Sequence, residues 1–187
     1  MSVLVEDPYL TSCSFRTNVR ICFMGSKSSG KSYALKLLLH RLIELSPNLK
    51  YQCVSLKSVL KKTVGFDTLV ARDVCHRINT NLLFETTQAL LNETNDVILI
   101  DDVCYESDAA QFRELGFKIF VLDPDWNIRF ERLRKTYPNP FEFYNEVSWF
   151  THKSELQESE LQENCYDYVS KNENTVSLLV EDIIRTL

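Results

Sequence analysis

The sequence predicts an α/β fold in which a five-stranded parallel sheet is flanked by helices on both faces, as a three-layer sandwich. Three observations support this prediction. Short apolar runs recur along the chain, segments with apolar residues at helical spacing separate them, and 4 Gly and 5 Pro among 187 residues are too few and too scattered to mark a linker. Such apolar runs are typical of strands buried on both faces, and a helix is the usual connection between parallel neighbours.

The strands and helices are predicted in turn along the chain. Strands are expected where apolar side chains run almost without interruption, at 19–24, 51–56, 97–100, 118–122 and 166–169. Helices are expected where apolar residues recur at helical spacing, at 31–46, 66–79, 82–92, 107–115, 125–136 and 174–187. Residues 1–18 are polar and mixed in character and are predicted to form a lead-in. One domain is therefore expected over 19–187.

The segment 137–164 differs from the rest of the chain and is predicted to be a lid. It begins with Tyr137-Pro138-Asn139-Pro140 and continues with aromatic and acidic residues, and it contains His152, to which we assign no role. Within it, the sequence Ser-Glu-Leu-Gln-Glu at 154–158 is repeated at 159–163. The repeat favours a helix and is acidic, so we interpret it as a solvated helical turn and not as a binding motif.

Composition limits the classes of partner. The chain has 44% hydrophobic and 25% charged residues, which is ordinary for one sizeable core. Its formal net charge is -5 and its pI is about 5.3, so we expect no binding to duplex nucleic acid. No apolar run approaches a membrane span, and Glu6 and Asp7 stand where a signal peptide would be basic. We therefore expect no membrane association and a cytoplasmic location. The six scattered cysteines favour reduced core thiols over disulfides or zinc.

The most specific motif lies between the first predicted strand and the first predicted helix. The residues Gly25-Ser26-Lys27-Ser28-Ser29-Gly30-Lys31-Ser32 match G-x-x-x-x-G-K-[ST]. In this context the pattern predicts a phosphate-binding loop, because backbone N–H groups and the positive end of the helix dipole converge on one anion. Lys31 is expected in a solvent-accessible position, from which it reaches the β- and γ-phosphates, and the Ser32 hydroxyl is expected to bind Mg²⁺. The alternative is a glycine turn that carries a lysine by chance.

Two adjacent carboxylates, Asp101 and Asp102, follow the predicted strand 97–100. The carboxyl ends of parallel strands are where ligands bind in open α/β sheets. A Mg²⁺ ion that bridges two phosphates needs hard oxygen ligands, and an acceptor group must be oriented. One aspartate can serve each need. The alternative is that both are turn formers or helix N-caps.

Arginines supply the candidate positive charges outside the loop. Arg129 and Arg132 are neighbours on one face of the predicted helix 125–136 and could clamp a transferring phosphoryl group. Arg72 and Arg77 lie between the second and third predicted strands, on the side where a phosphoryl acceptor would bind. For all four, ordinary surface charge is the alternative.

With these residues in view, the chain resembles the small P-loop nucleotide kinases, most closely the deoxynucleoside monophosphate kinases of phages and large DNA viruses, and more distantly phosphomevalonate kinase. The resemblance covers nearly all of 19–187. It depends on the glycine loop together with five weaker segments in the right order, at 54–61, 99–103, 114–116, 152–155 and 166–172. It implies a P-loop NTPase fold with a lid, ATP and Mg²⁺ as cosubstrates, and transfer of the γ-phosphate to a phosphate monoester, most simply a deoxynucleoside 5′-monophosphate. For a viral source, it implies a location in the host cytoplasm.

The resemblance also assigns residues. It aligns Asp102 with the acidic residue that closes the family's strand-end motif, so Asp102, with Ser32, is predicted to take the metal-linked role, and Asp101 to lie on the substrate side. The family usually places an arginine two residues after this aspartate, and Cys104 stands there instead. A cysteine cannot make the bidentate contact of an arginine with phosphate, so Arg72 or Arg77 must supply that charge in an active enzyme.

Other functions are left open by the sequence. A kinase for phosphomevalonate or another small phosphate is one alternative, and a catalytically silent nucleotide-binding or scaffold protein is another. The substitution at Cys104 favours the silent protein, whereas Lys31, Ser32 and Asp102 favour the enzyme. Whether the protein forms a homodimer is also left open.

Overall fold

A five-stranded parallel sheet forms the centre of the part of the chain that the structure describes. This computed structural model describes residues 18–65, 74–75, 77–103, 105–147, 166–170 and 176–187. The strands are β1 (Val19–Gly25), β2 (Tyr51–Ser55), β3 (Val97–Val103), β4 (Lys118–Leu122) and β5 (Tyr168–Ser170). Their order across the sheet is β2-β3-β1-β4-β5, and every pairing is parallel. β1, which leads into the glycine loop, is therefore the central strand.

Helices connect these strands. They are α1 (Lys31–Leu45), α2 (Leu56–Val64), α3 (Leu82–Leu90), α4 (Glu106–Glu114), α5 (Trp126–Thr136), α6 (Pro140–Val147) and α7 (Val176–Thr186). Residues 74–75 and 77–78 are also helical. Within the described residues, no helix is both long and apolar enough to cross a membrane.

Most buried residues of the described chain fall into two apolar layers, one on each face of the sheet, and Leu60, Cys75 and Leu83 form a smaller separate cluster. On one face, Ile21 and Phe23 of β1 pack with α1 and with Leu179 and Ile183 of α7. On the other face, Cys22 and Met24 of β1 pack with α4 and with the alternate residues of β3 and β4. This alternation is what a strand buried on both faces requires. The predicted fold class, a parallel sheet between two helical layers, is confirmed.

β3 contains one extra residue relative to β1. Cys22 pairs with Ile100, but Met24, two residues later, pairs with Val103, three residues later. Asp102 has a φ of 64°, a left-handed backbone that absorbs this residue as a β-bulge. The bulge returns Val103 to the same apolar layer as Ile100. Both aspartates therefore lie inside β3, and the predicted strand end at 100 was three residues too early.

Two further helices differ from the sequence prediction. Leu56 was assigned to the second strand but begins α2, because the Ser55 side chain accepts a hydrogen bond from the Ser58 N–H at 3.4 Å and caps the helix. α6 occupies the start of the predicted lid, where no helix was predicted. Cys53, expected in the core, lies on the edge strand β2 and is exposed, whereas Cys22 and Cys75 are buried.

Several predictions concern residues outside the described part of the chain. These are the lead-in up to residue 17, most of the predicted helix 66–79, the lid from 148 onward, and the acidic repeat at 154–163. They remain predictions.

Candidate functional site

The glycine loop joins the C-terminal end of β1 to the first turn of α1. Gly25, Ser28 and Gly30 all have positive φ, at 147°, 62° and 105°. A Cβ atom at Gly25 would lie 2.4 Å from the Leu122 carbonyl oxygen of β4, so this position requires glycine. Gly30 is the N-cap of α1, and no side chain caps that helix. The N–H groups of its first turn are thus available to an anion, as in a phosphate-binding loop.

Lys31, the first residue of α1, is folded back onto the loop. Its Nζ donates hydrogen bonds to the carbonyl oxygens of Gly25 at 2.6 Å and Ser26 at 2.7 Å, and lies 3.7 Å from Asp102 Oδ1. Its side chain is only 7% exposed. The expectation of a solvent-accessible lysine is therefore corrected: a buried ammonium needs such partners, and two carbonyls and one carboxylate supply them here.

Ser32 contacts the other aspartate. Its hydroxyl donates to Asp101 Oδ2 at 2.9 Å, while the remaining oxygen of Asp101, Oδ1, is buried and makes no hydrogen bond within the described residues. The structure thus separates the pair: Asp101 contacts the serine of the loop, and Asp102 contacts its lysine. The sequence had linked Asp102 to Ser32, and the geometry favours Asp101.

Burial raises the pKa of the Asp101 carboxyl above its ordinary value, and the negative charge of Asp102 raises it further. The hydroxyl groups of Ser32 and Ser55 and the ammonium of Lys31 act in the opposite direction. The net effect is a raised pKa, so the ionised form of Asp101 is less stable than usual and would be stabilised by a nearby cation.

The two arginines of α5 have different surroundings. Arg132 Nη1 donates to the carbonyl oxygens of Ser28 at 3.1 Å and Ser29 at 2.9 Å, so this side chain lies against the glycine loop. The Arg129 guanidinium lies over the ring of Trp126, 5.8 Å from its centroid. Arg132 is thus brought to the site through the loop backbone, and Arg129 contacts the aromatic ring of its own helix.

The acceptor side is described only in part. Arg77 is exposed, and Arg72, Cys104 and His152 lie outside the described residues. Ser55, which the sequence analysis did not select, is paired with Asp101 across β2 and β3. Because Ser55 ends β2 beside Asp101, close to the carboxyl end of β3, the rule that ligand-binding groups gather at the carboxyl ends of strands could have identified Ser55.

Comparisons with known proteins agree on the fold. No protein-family model and no curated protein matches the sequence. Among solved structures, shikimate kinase from Acinetobacter baumannii in complex with shikimate is similar with a TM-score of 0.54 and 13% identity, over 94% of this chain and 96% of that chain. Shikimate kinase from Aquifex aeolicus is similar with a TM-score of 0.53 and 20% identity, over 90% and 95%. The APS kinase of Mycobacterium tuberculosis in complex with AMPPNP and APS is similar with a TM-score of 0.56 and 15% identity, over 91% and 97%. At these identities the likeness concerns the fold, and the chain has the fold of the P-loop kinases.

Proposed function

We propose that this protein is an ATP- and Mg²⁺-dependent kinase that transfers the γ-phosphoryl group to the phosphate of a small molecule. A (deoxy)nucleoside 5′-monophosphate is the acceptor we propose first, with ADP and the nucleoside diphosphate as products. The observation that carries the proposal is the hydrogen bond from Ser32 to the buried Asp101 carboxylate, next to Lys31 in a glycine loop. A lysine, a serine and a buried carboxylate in this arrangement match what phosphoryl transfer uses.

ATP would be held by the loop from Gly25 to Ser32. The uncapped first turn of α1 would receive the phosphate oxygens, and Lys31 would exchange its carbonyl partners for them. Such an exchange keeps the ammonium fully paired throughout, so its burial does not oppose binding.

Mg²⁺ would be held by the Ser32 hydroxyl and by Asp101, directly or through water. The residues fit a hard cation: Ser32 is accessible, and Asp101 has a buried oxygen without a hydrogen bond among the described residues. The described residues contain no cluster of three or more His, Cys, Asp or Glu that could hold a metal by itself, so phosphate oxygens would complete the coordination. When bound, the ion would supply positive charge next to the phosphates of ATP, and Ser32 and Asp101 would hold it there. Asp101 thus takes the metal-linked role in this proposal, and Asp102 positions Lys31.

The acceptor class is supported by the order of motifs along the sequence, from the glycine loop to the segment at 166–172. Its phosphate must be neutralised as it approaches the γ-phosphate, because two anions repel strongly in a poorly screened cleft. Arg72 and Arg77 are the residues we propose for this task, and Arg129 is proposed to approach the transferring group when the lid closes.

The test measures ADP release with ATP, Mg²⁺ and a panel of acceptors, followed by mass spectrometry of the product. The panel contains the nucleoside monophosphates, phosphomevalonate, shikimate and APS. Lys31→Met should lower acceptor-dependent turnover by roughly 10²–10³, the typical effect of removing one electrostatic group. Lys36→Met, on the exposed face of the same helix, is the matched control and should stay within a few-fold of the parent.

Two outcomes would contradict the proposal. Near-normal turnover by a folded Lys31→Met variant would exclude the loop from the chemistry. Tight ATP binding without transfer to any acceptor would identify a silent nucleotide-binding protein instead.

A further inference from the structure

We propose that Arg132 is a positioning residue for the phosphate loop and does not contact the transferred phosphoryl group. The inference rests on the proposed function, because it concerns how the same loop binds phosphate. Its basis is the pair of hydrogen bonds from Arg132 Nη1 to two consecutive loop carbonyls, those of Ser28 and Ser29. These residues lie 104 and 103 positions away in the sequence, so the contact joins the loop to α5 across the fold.

The loop backbone needs support of this kind. Ser28 has a φ of 62°, a conformation that a residue with a side chain adopts at a cost and that persists when surrounding contacts determine it. Gly25 and Gly30 lie on either side of Ser28 and also have positive φ. Glycine is the residue type with the greatest backbone freedom. Within the loop, the Ser29 N–H donates to the Ser26 carbonyl at a long 3.2 Å. Two charge-assisted bonds from Arg132 are stronger than that contact.

The carbonyl contacts also set the direction of an N–H group. The C=O and N–H of one trans peptide unit point in opposite directions. The carbonyl of Ser29 belongs to the same unit as the N–H of Gly30, so Arg132 directs that N–H away from α5 by holding Ser29. Gly30 is the N-cap of α1, where an N–H turned toward bound phosphate is needed.

The carbonyl contacts distinguish Arg132 from a phosphoryl clamp. A residue that clamps the phosphoryl group contacts the γ-phosphate and therefore stabilises only ligands that contain a γ-phosphate. A residue that orders the loop stabilises every ligand that the loop holds, with or without a γ-phosphate. The predicted signature of Arg132 is therefore an equal loss of affinity for ADP, ATP and tripolyphosphate.

The first experiment measures binding of these three ligands in the presence of Mg²⁺ and without acceptor, by calorimetry, for Arg132→Ala, Arg132→Lys and Arg134→Ala. Arg134 is exposed on the same helix and is the matched control. Arg132→Ala should weaken all three ligands alike, by at least about tenfold, the size expected for a lost charge-assisted hydrogen bond. Arg132→Lys should recover part of the loss, because an ammonium can still donate to a carbonyl but lacks the planar fork. Arg134→Ala should bind as the parent does.

A loss confined to ATP and tripolyphosphate would assign Arg132 to the γ-phosphate and overturn the proposal. A loss confined to ADP and ATP would assign it to the nucleoside and would also overturn it. If Arg132→Ala fails to fold, the same comparison made with Arg132→Lys decides.

The second experiment measures amide hydrogen exchange over residues 26–31 without any ligand. Arg132→Ala should speed exchange there and leave β1 unchanged, whereas Arg134→Ala should change neither. Unchanged exchange in the loop would overturn the positioning role. If the parent protein binds no ATP, the proposed function fails, and the exchange result alone decides whether Arg132 orders the loop.

Discussion

At the scale of single residues, the adjacent aspartates of β3 differ in what they hold. Asp101 accepts the Ser32 hydroxyl, and Asp102 lies beside Lys31 with a left-handed backbone. Lys31 has two carbonyl partners besides Asp102, so loss of that charge leaves the ammonium hydrogen-bonded. The Ser32 hydroxyl donates to Asp101, which is therefore the carboxylate we place next to a bound metal.

We therefore expect Asp101→Asn to impair phosphoryl transfer more than Asp102→Asn. The first variant should lose roughly 10–100-fold in kcat, as is typical when a group that orients a metal ligand is changed, and the second should stay within about tenfold. Both substitutions preserve shape, and asparagine tolerates the positive φ at 102. Steady-state kinetics at varied Mg²⁺ measure the difference. The reverse ranking would support the sequence-based assignment of the metal to Asp102.

A second prediction concerns the stability cost of Asp101. Its pKa is raised in the folded protein, so the folded state binds this proton more tightly than the unfolded state does. The resulting stabilisation is complete below the ordinary value of 3.8 and is lost as the pH rises through the raised folded pKa. Asp101→Asn should therefore raise the free energy of unfolding at neutral pH, and the gain should shrink toward acid.

Urea unfolding at several pH values, without nucleotide, measures this gain. Glu114→Gln, which removes one carboxylate at the exposed end of α4, is the matched control for the loss of a negative charge. A gain in Asp101→Asn that grows as the pH falls would mean that folding lowers the pKa of this carboxyl, contrary to the expected direction.

At the scale of elements, the loop between β1 and α1 has little room for change. An alanine at Gly25 would place its Cβ 2.4 Å from a backbone oxygen of β4, whereas at Gly116, with a φ of 82°, a Cβ meets nothing within 4 Å. Gly116→Ala should cost only the left-handed backbone, about 1–2 kcal/mol. Gly25→Ala should cost about 3 kcal/mol or more, because the clash adds to the strain, and should weaken ATP binding as well. Thermal unfolding of the two variants side by side tests this difference, and equal losses would contradict it.

Periodicity predicted the elements better than their ends. The helices α1, α3, α4, α5 and α7 were each expected within about two residues of their observed bounds, since apolar residues recur at helical spacing in each. α2 was missed because Ser55 is equally compatible with the end of a strand and with a helix cap. α6 was missed although Asn139 caps it, accepting from the Phe141 N–H at 3.0 Å, and Pro140 stands in its first turn.

The candidate site was likewise predicted only in part from the sequence. The motif identified the loop, its lysine and its serine without the structure, because their spacing along the chain determines where they lie. Spacing alone could not predict which aspartate contacts Ser32 and which contacts Lys31, because these contacts depend on the bulge in β3. It also could not predict that Arg132 contacts Ser28 and Ser29. Contacts between distant segments depend on the tertiary fold.

At the scale of the whole molecule, the helix that carries the loop depends on a helix far away in the sequence. α7 covers α1 with Leu179 and Ile183, and Arg41 of α1 donates to Glu181 of α7 at 3.1 Å. The apolar layer on this face of the sheet contains residues of both helices, so it is complete only when α1 and α7 are both in place.

Ile183→Ala should therefore lower the free energy of unfolding by about 2–5 kcal/mol, the usual cost of a large buried side chain. Leu178→Ala, on the solvent face of the same helix with 61% exposure, is the matched control and should cost well under that. Chemical denaturation measures both. A similar small loss in the two variants would mean that α7 does not stabilise α1.

The bulge in β3 has a consequence for changes in chain length. Removing one residue from a buried strand normally turns every later side chain to the wrong face of the sheet. In β3 the extra residue at Asp102 interrupts the alternation of side chains between the two faces. Deleting one of the two aspartates would therefore leave the later residues of the strand on the faces that they occupy now. Val103 would still face the layer of Ile100, and one carboxylate would remain for Ser32. We expect this deletion to preserve folding, as judged by a cooperative thermal transition, whereas deletion of Leu99 from the regular part of the same strand should abolish it.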